Sequence, residues 1–184
     1  MVKVYAMIAN GTEEAECLTV VDLLRRAGID VILVSVEKTR NVLSSHNVKI
    51  EADLSIAETD FSDGDMIFLP GGMPGAERLS SCIELINAMH LMISSGGRLS
   101  AICAAPGVVL GRHGFLQGKN AACFPGFEDE LHGAKHTAAG VVTDGAITTA
   151  RGLGFAIDLG LELISLLLDK ETAGKVKKQI QYKD

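Results

Sequence analysis

Two kinds of apolar pattern alternate along the chain. Val2 to Ile8, Val31 to Val36, Asp65 to Leu69, Leu99 to Ile102 and Ala146 to Ala150 are short, nearly continuous apolar runs. Runs of this kind read as strands covered on both faces. Between them, apolar residues return every three or four positions, which is the spacing of a helix face. Thr12 followed by Glu13, Glu14 and Glu16 reads as a helix start, continued through Leu18, Val21 and Leu24 to a stop at Gly28. Further helices are expected over Glu84 to Ser94, after the strand that ends at Cys103, over Gly154 to Leu168, and over Lys170 to Gln181. Asn41 to Leu54 reads as a hairpin or edge segment, and Asn120 to Cys123 as one more short strand. Strand and helix alternate without repeats, low-complexity stretches or a linker. The expectation is one α/β domain over residues 1–184, with a mostly parallel sheet and helices on both faces.

Composition narrows the class. With 184 residues, 47% of them hydrophobic, the chain can bury a substantial core. The net charge of −6 argues against a nucleic-acid or anionic-membrane partner. The N-terminal apolar run is one strand long, and no run reaches the roughly 18 residues of a membrane span. A cytoplasmic protein is expected. Cys17, Cys82, Cys103 and Cys123 are dispersed, with no CxxC pair and no histidine pair at zinc spacing, so free thiols and no metal are expected.

The densest chemistry lies in Leu99-Ser100-Ala101-Ile102-Cys103-Ala104-Ala105-Pro106-Gly107. A strand that ends at a cysteine and passes through small residues into a helix is the sequence form of a nucleophile elbow. Pro106 fits the first helical turn. The unpaired N–H groups and dipole of that helix would ease formation of a Cys103 thiolate. A buried, inert core cysteine is the competing reading. In a parallel sheet, ligands bind beyond the carboxyl ends of the strands. Asn10 to Glu16, Gly71 to Gly75 and Cys103 all follow strands, so they fall on one rim. The Gly71-Gly72 pair reads either as a turn needing positive φ or as a source of amide donors for an oxyanion. Neither GxxxxGK[ST] nor GxGxxG is present.

Four motifs together resemble the ThiJ/PfpI family, in the bacterial members of its DJ-one branch. They are Gly11-Thr12-Glu13-Glu14-Ala15-Glu16 followed by Asp22 to Gly28, Leu69-Pro70-Gly71-Gly72, Ala101 to Pro106, and Arg151-Gly152-Leu153-Gly154. The resemblance implies a flavodoxin-like three-layer sandwich, a homodimer and no cofactor. It also implies that Cys103 is the reactive cysteine, with Glu16 the carboxyl group beside it. Gly72 and Ala104 match the backbone amide donors. Arg26 matches an arginine that reaches the site from the dimer partner.

Like charges at short range raise one pKa, so Glu16 is expected to be protonated near neutral pH and to donate a hydrogen bond to a Cys103 thiolate. Ala104 stands where protease-like relatives carry a histidine, which argues against peptide hydrolysis. Phe124 stands where some relatives carry another histidine, and His46 where some carry an arginine. Cys123 reads as a core cysteine or a resolving thiol. The leading expectation is attack of Cys103 on a small α-oxoaldehyde such as methylglyoxal, with Glu16 moving the proton and a hydroxy acid released. Deglycation of protein side chains would use the same steps. The alternatives are a redox-responsive stress protein whose Cys103 becomes a sulfinate, and a pseudo-enzyme that binds a partner protein.

Overall fold

The computed structural model describes residues 1–183. Its strands are β1 (Lys3–Ile8), β2 (Asp30–Ser35), β3 (Asn41–Leu43), β4 (Lys49–Glu51), β5 (Leu54–Ser55), β6 (Met66–Leu69), β7 (Arg98–Ile102), β8 (Asn120–Ala121), β9 (Lys135–His136), β10 (Val141–Asp144) and β11 (Ile147–Ala150). Its α-helices are α1 (Glu14–Arg26), α2 (Gly75–Ser80), α3 (Ile83–Ser94), α4 (Ala156–Leu167) and α5 (Lys170–Gln179).

Seven strands form one sheet in the order β10-β11-β7-β6-β1-β2-β5. Every pairing in it is parallel except β10 with β11. The buried central strands divide their side chains between two cores because successive residues point to opposite faces. From β1, Tyr5 and Met7 enter one core with α3 residues Leu85 and Met89, while Val4, Ala6 and Ile8 enter the other with Leu24 of α1 and Leu163 of α4. β6 repeats the division, with Ile67 and Leu69 on the first side and Met66 and Phe68 on the second. A sheet buried on both faces shows no polar alternation, which is why its strands read as continuous apolar runs. The three-layer α/β sandwich expected from the sequence is the fold observed. Among the described residues, no helix is long and apolar enough to cross a membrane.

Some boundaries differ from expectation. α1 begins at Glu14 rather than at Thr12, because the Thr12 hydroxyl accepts the Ala9 N–H (2.9 Å) and holds the preceding loop, leaving Glu13 extended at the helix entrance. α2 lay hidden in a stretch dense in Gly and Pro. β10 is a half-polar, antiparallel edge strand whose Asp144-Gly145 turn gave little apolar signal. A 3₁₀ turn over Leu153–Phe155 delays α4. The segment after Cys103, Pro106–Gly111, is wound as a π-helix rather than an α-helix.

α1 and α4 cross closely at Gly160, where an added Cβ would lie 2.5 Å from Cδ1 and 3.2 Å from Cβ of the buried Leu23. Gly160→Ala gains up to ~1 kcal/mol of helix propensity, but overpacking of this contact costs about 1–3 kcal/mol. Urea unfolding is expected to show a net loss of stability. In a Leu23→Ala background the same substitution should become stabilising. An unchanged sign in both backgrounds would refute the close-packing account.

Candidate active site

Four neighbouring strands, β11, β7, β6 and β1, point their carboxyl ends at one edge of the sheet. The helix following β1 packs on the opposite face from the helices following β6, so the chain reverses direction there and leaves a crevice. Each loop at that edge is fixed by backbone bonds. Glu13 N–H donates to the Gly71 carbonyl (2.9 Å), Cys103 N–H to the Ala150 carbonyl (3.0 Å), and Phe124 N–H to the Cys103 carbonyl (2.8 Å).

Cys103 has φ +66°, a left-handed conformation unusual for a residue with a side chain. This strained bend lifts the thiol out of the strand direction, as a nucleophile elbow does. The side chain is partly buried, packing beside the core that contains Ile102, and is not enclosed. Cys123 is almost fully buried in the core on the other face of the sheet. Its burial is that of a core cysteine.

Glu16 lies in the first turns of α1 and is only 2% exposed. Its Oε2 accepts the Gly71 N–H at 3.1 Å, and the Leu153 N–H also favours its charged form. The Cys103 sulfur lies beside this carboxyl group, both within 3.0 Å of the Cβ position at Gly71, and the N–H groups of Gly72 and Ala104 favour the charged form of the thiol. The structure therefore brings Cys103, Glu16, Gly72 and Ala104 together. It divides the glycine pair, with one amide turned to the carboxyl group and the next to the thiol. Gly71 has no room for a side chain, since a Cβ there would lie 2.5 Å from Cys103 Cβ and 2.6 Å from Glu16 Oε2. Gly72, at φ +89°, is pressed against the backbone of residues 11 to 13. The positive-φ reading holds at Gly72, while the Gly71 amide donates to the Glu16 carboxyl group. The sequence offered Gly71 as a donor to an oxyanion and not to Glu16, and Leu153 was not singled out as a donor. Both stand inside the quoted motifs, but amide direction has no sequence signal.

The electrostatics of the two groups are coupled. Burial pushes the Glu16 carboxyl up to about 7, against the pull of its hydrogen bonds. Burial, followed by the Glu16 charge, pushes the Cys103 thiol up to about 12, although the Gly72 and Ala104 amides pull it down. Burial raises both groups, while the amides that face them favour their charged forms, and the close approach of thiol and carboxyl group disfavours two negative charges at once.

Other candidates sit outside this pair. Arg26 is on the last turn of α1, about 15 Å along the axis from Glu16, where it is exposed and paired with Asp22 at 2.6 Å. His46 lies at the tip of the β3–β4 hairpin, 3.5 Å from Glu13 and 3.2 Å from Glu14. Ser45 Oγ donates to both carboxylates, at 2.9 and 3.2 Å. Although burial opposes it, the helix-start N–H, the Ser44 and Ser45 hydroxyls and His46 hold Glu14 down to about 2. Glu13 and Glu14 thus also fasten the hairpin to α1, beyond the helix-terminus role read from the sequence. Glu13, Glu14 and His46 are the group among the described residues whose donor atoms could surround a metal ion, all within 4.8 Å of one another. Their hydrogen bonds already join them.

Residues 2–166 match the model of the DJ-1/PfpI family. Protein DJ-1 homolog B of Arabidopsis thaliana is 38% identical over 175 residues, which is 95% of this chain and 40% of that protein. The chain thus spans about two-fifths of that longer relative. The glutathione-independent glyoxalase DJR-1.2 of Caenorhabditis elegans is 28% identical over 91% of this chain and 89% of its own length. The solved structure of oxidized Toxoplasma gondii DJ-1 superposes with a TM-score of 0.96 and 38% identity, over 100% of both chains.

Two measurements test the coupling. Alkylation of Cys103 by iodoacetamide should show an inflection near pH 7, where the pair gives up its first proton. Glu16→Gln should abolish it and leave a single rise at higher pH. An identical profile in the variant would remove Glu16 from the pair. Folding stability gives an independent check. The folded chain keeps a proton that an unfolded Glu loses above 4.5, so this contribution is full below 4.5 and declines until about pH 7. The loss is at most ~3 kcal/mol. Chemical denaturation of Glu16→Gln should lack that decline, and parallel curves would contradict burial of the carboxyl group.

Proposed function

The chain belongs to the DJ-1/PfpI family, and from that premise we propose that it is a cofactor-independent enzyme converting small α-oxoaldehydes such as methylglyoxal to 2-hydroxy acids. The observation that carries this reading is the buried Glu16 carboxyl group, held by the Gly71 N–H and set beside the Cys103 thiol, where burial pushes it up to about 7.

The chemistry follows from that arrangement. The Glu16 carboxylate accepts the thiol proton as sulfur forms a bond to the aldehyde carbon. The carbonyl π pair moves to oxygen, where backbone N–H groups stabilise the developing charge until it takes a proton. A hemithioacetal results. Glu16, again ionised, removes the proton from the sulfur-bearing carbon, giving an enediol. Reprotonation at the neighbouring carbon and loss of the hydroxyl proton yield a thioester. Water cleaves the C–S bond, and the thiol recovers its proton as the 2-hydroxy acid leaves. One carbon is oxidised and its neighbour reduced, so no external electron carrier takes part. An aldehyde already attached to a protein thiol or amine would enter at the same first step, which is the deglycase version of this activity. The worm relative named a glutathione-independent glyoxalase supports the carbonyl reading. The absence of a histidine at Ala104 weighs against peptide hydrolysis.

The oxidised state of the Toxoplasma relative favours a second reading, in which Cys103 reports oxidants. Two peroxide molecules would each transfer one oxygen to sulfur and leave as water. The Gly72 and Ala104 amides and a protonated Glu16 would hold the resulting sulfinate. Under either reading we place the protein in the cytoplasm, as a homodimer whose Arg26 approaches the partner's site. Four free thiols among the described residues suit a reducing compartment.

The decisive assay is lactate production from methylglyoxal. Cys103→Ser should abolish it, and Glu16→Gln should lower kcat/KM by roughly 100-fold or more. In the natural chain kcat/KM should rise with pH through about 7, because the ionised carboxyl group is the base. Equal rates for the natural chain and Cys103→Ser would dismiss the enzyme. Mild peroxide followed by intact mass measurement would then judge the oxidant reading by whether two oxygens add to Cys103 alone.

A further inference from the structure

Three large apolar residues on the loops that carry the Cys103–Glu16 pair are exposed. Phe124 is 46% exposed, an unusual position for a phenyl ring, yet its place is fixed by its N–H bond to the Cys103 carbonyl. A Cβ built on Gly152 would lie 3.1 Å from the Phe124 ring and 3.8 Å from Glu16 Oε1. The ring and the carboxyl group thus flank the same bare glycine. Leu153, 51% exposed, follows that glycine and offers its own N–H to Glu16. Met73, 44% exposed, follows Gly72, whose N–H favours the charged form of the thiol. Three large apolar residues that solvent touches therefore come from three different loops, each tied directly to the Cys103–Glu16 pair. The nearest guanidinium on these loops is already engaged, since Arg151 lies over the Phe155 ring, 5.9 Å from its centre.

We infer that Phe124, with Leu153 and Met73, forms an apolar subsite that selects carbonyl substrates bearing an aromatic or branched alkyl group over those bearing only a methyl group. The inference rests on the α-oxoaldehyde reading and names the substrate class within it. An aromatic group on the substrate would cover the exposed phenyl ring and remove both surfaces from water. That gain is available to an aryl group and almost absent for a methyl. Phe124 is a specificity-determining residue in this scheme, since it has no group that can exchange a proton.

Two experiments separate this inference from the reaction it builds on. The first compares kcat/KM for phenylglyoxal and methylglyoxal. The natural chain should favour phenylglyoxal by about tenfold, and Phe124→Ala should erase most of that ratio through KM rather than kcat. A ratio at or below one in the natural chain, or an unchanged ratio in Phe124→Ala, overturns the subsite. The second needs no turnover. Alkylation of Cys103 by phenacyl bromide is compared with alkylation by iodoacetamide, and bromide or iodide leaves as sulfur bonds to carbon in both. The relative rate with phenacyl bromide should fall several-fold in Phe124→Ala. If neither aldehyde is consumed, the proposed function fails, and the alkylation ratio still decides the subsite. An unchanged alkylation ratio rejects it whatever the turnover assays show.

Discussion

A carboxyl group and a thiol share one poorly hydrated spot at the edge of this sheet, and only one of them can carry charge at a time near neutral pH. Two anions side by side in low dielectric repel too strongly. Their titrations are therefore coupled. Burial raises both, pushing the carboxyl group up to about 7 and the thiol up to about 12. In the proposed reaction the carboxyl group is the base and the thiol the nucleophile. The sulfur need not be a stable thiolate in the resting protein for this arrangement to work.

The surrounding backbone exists in this form because three glycines allow it. Gly71 leaves space for Cys103 and Glu16 where any side chain would collide with both. Gly72 takes a positive φ against the backbone of residues 11 to 13, and Gly11 does the same against Pro74 and Gly75. These contacts bind the loop after β1 to the loop after β6, so that α1 presents Glu16 to a sulfur that comes from β7. The strain at Cys103, held at φ +66°, is carried by the packed strands below it and by the hydrogen bonds on both sides of its peptide. Rigidity here is a property of the edge of the sheet and of no single loop.

Much of the fold was legible because burial leaves a one-dimensional trace. Strands covered on both faces, such as Met66–Leu69, appear as unbroken apolar runs, and α1 and α4 repeat their apolar residues at helical spacing. Elements that pack weakly or against polar partners left a fainter trace. β10 is of this kind. α2 was masked by its Gly- and Pro-rich surroundings, and the π-winding of Pro106–Gly111 has no signal in its apolar pattern. The identities of Cys103 and Glu16 came from motifs, since a thiol at a strand end and a glutamate in a helix start can be named without knowing what they touch.

The sequence by itself determined the layer order, the parallel sheet and the residues able to do chemistry, because side-chain polarity and local backbone preference are properties of neighbouring positions. Only the tertiary structure decided how those residues behave. The distance from full solvation, the partner of each amide and the sign of the shift at the thiol are set by atoms far apart in the chain. Gly71 is 55 residues from the carboxyl group it serves. A helix dipole, judged locally, argues for an easy thiolate. Burial and the neighbouring carboxyl group, which act through space and grow as water is excluded, oppose it and raise both groups.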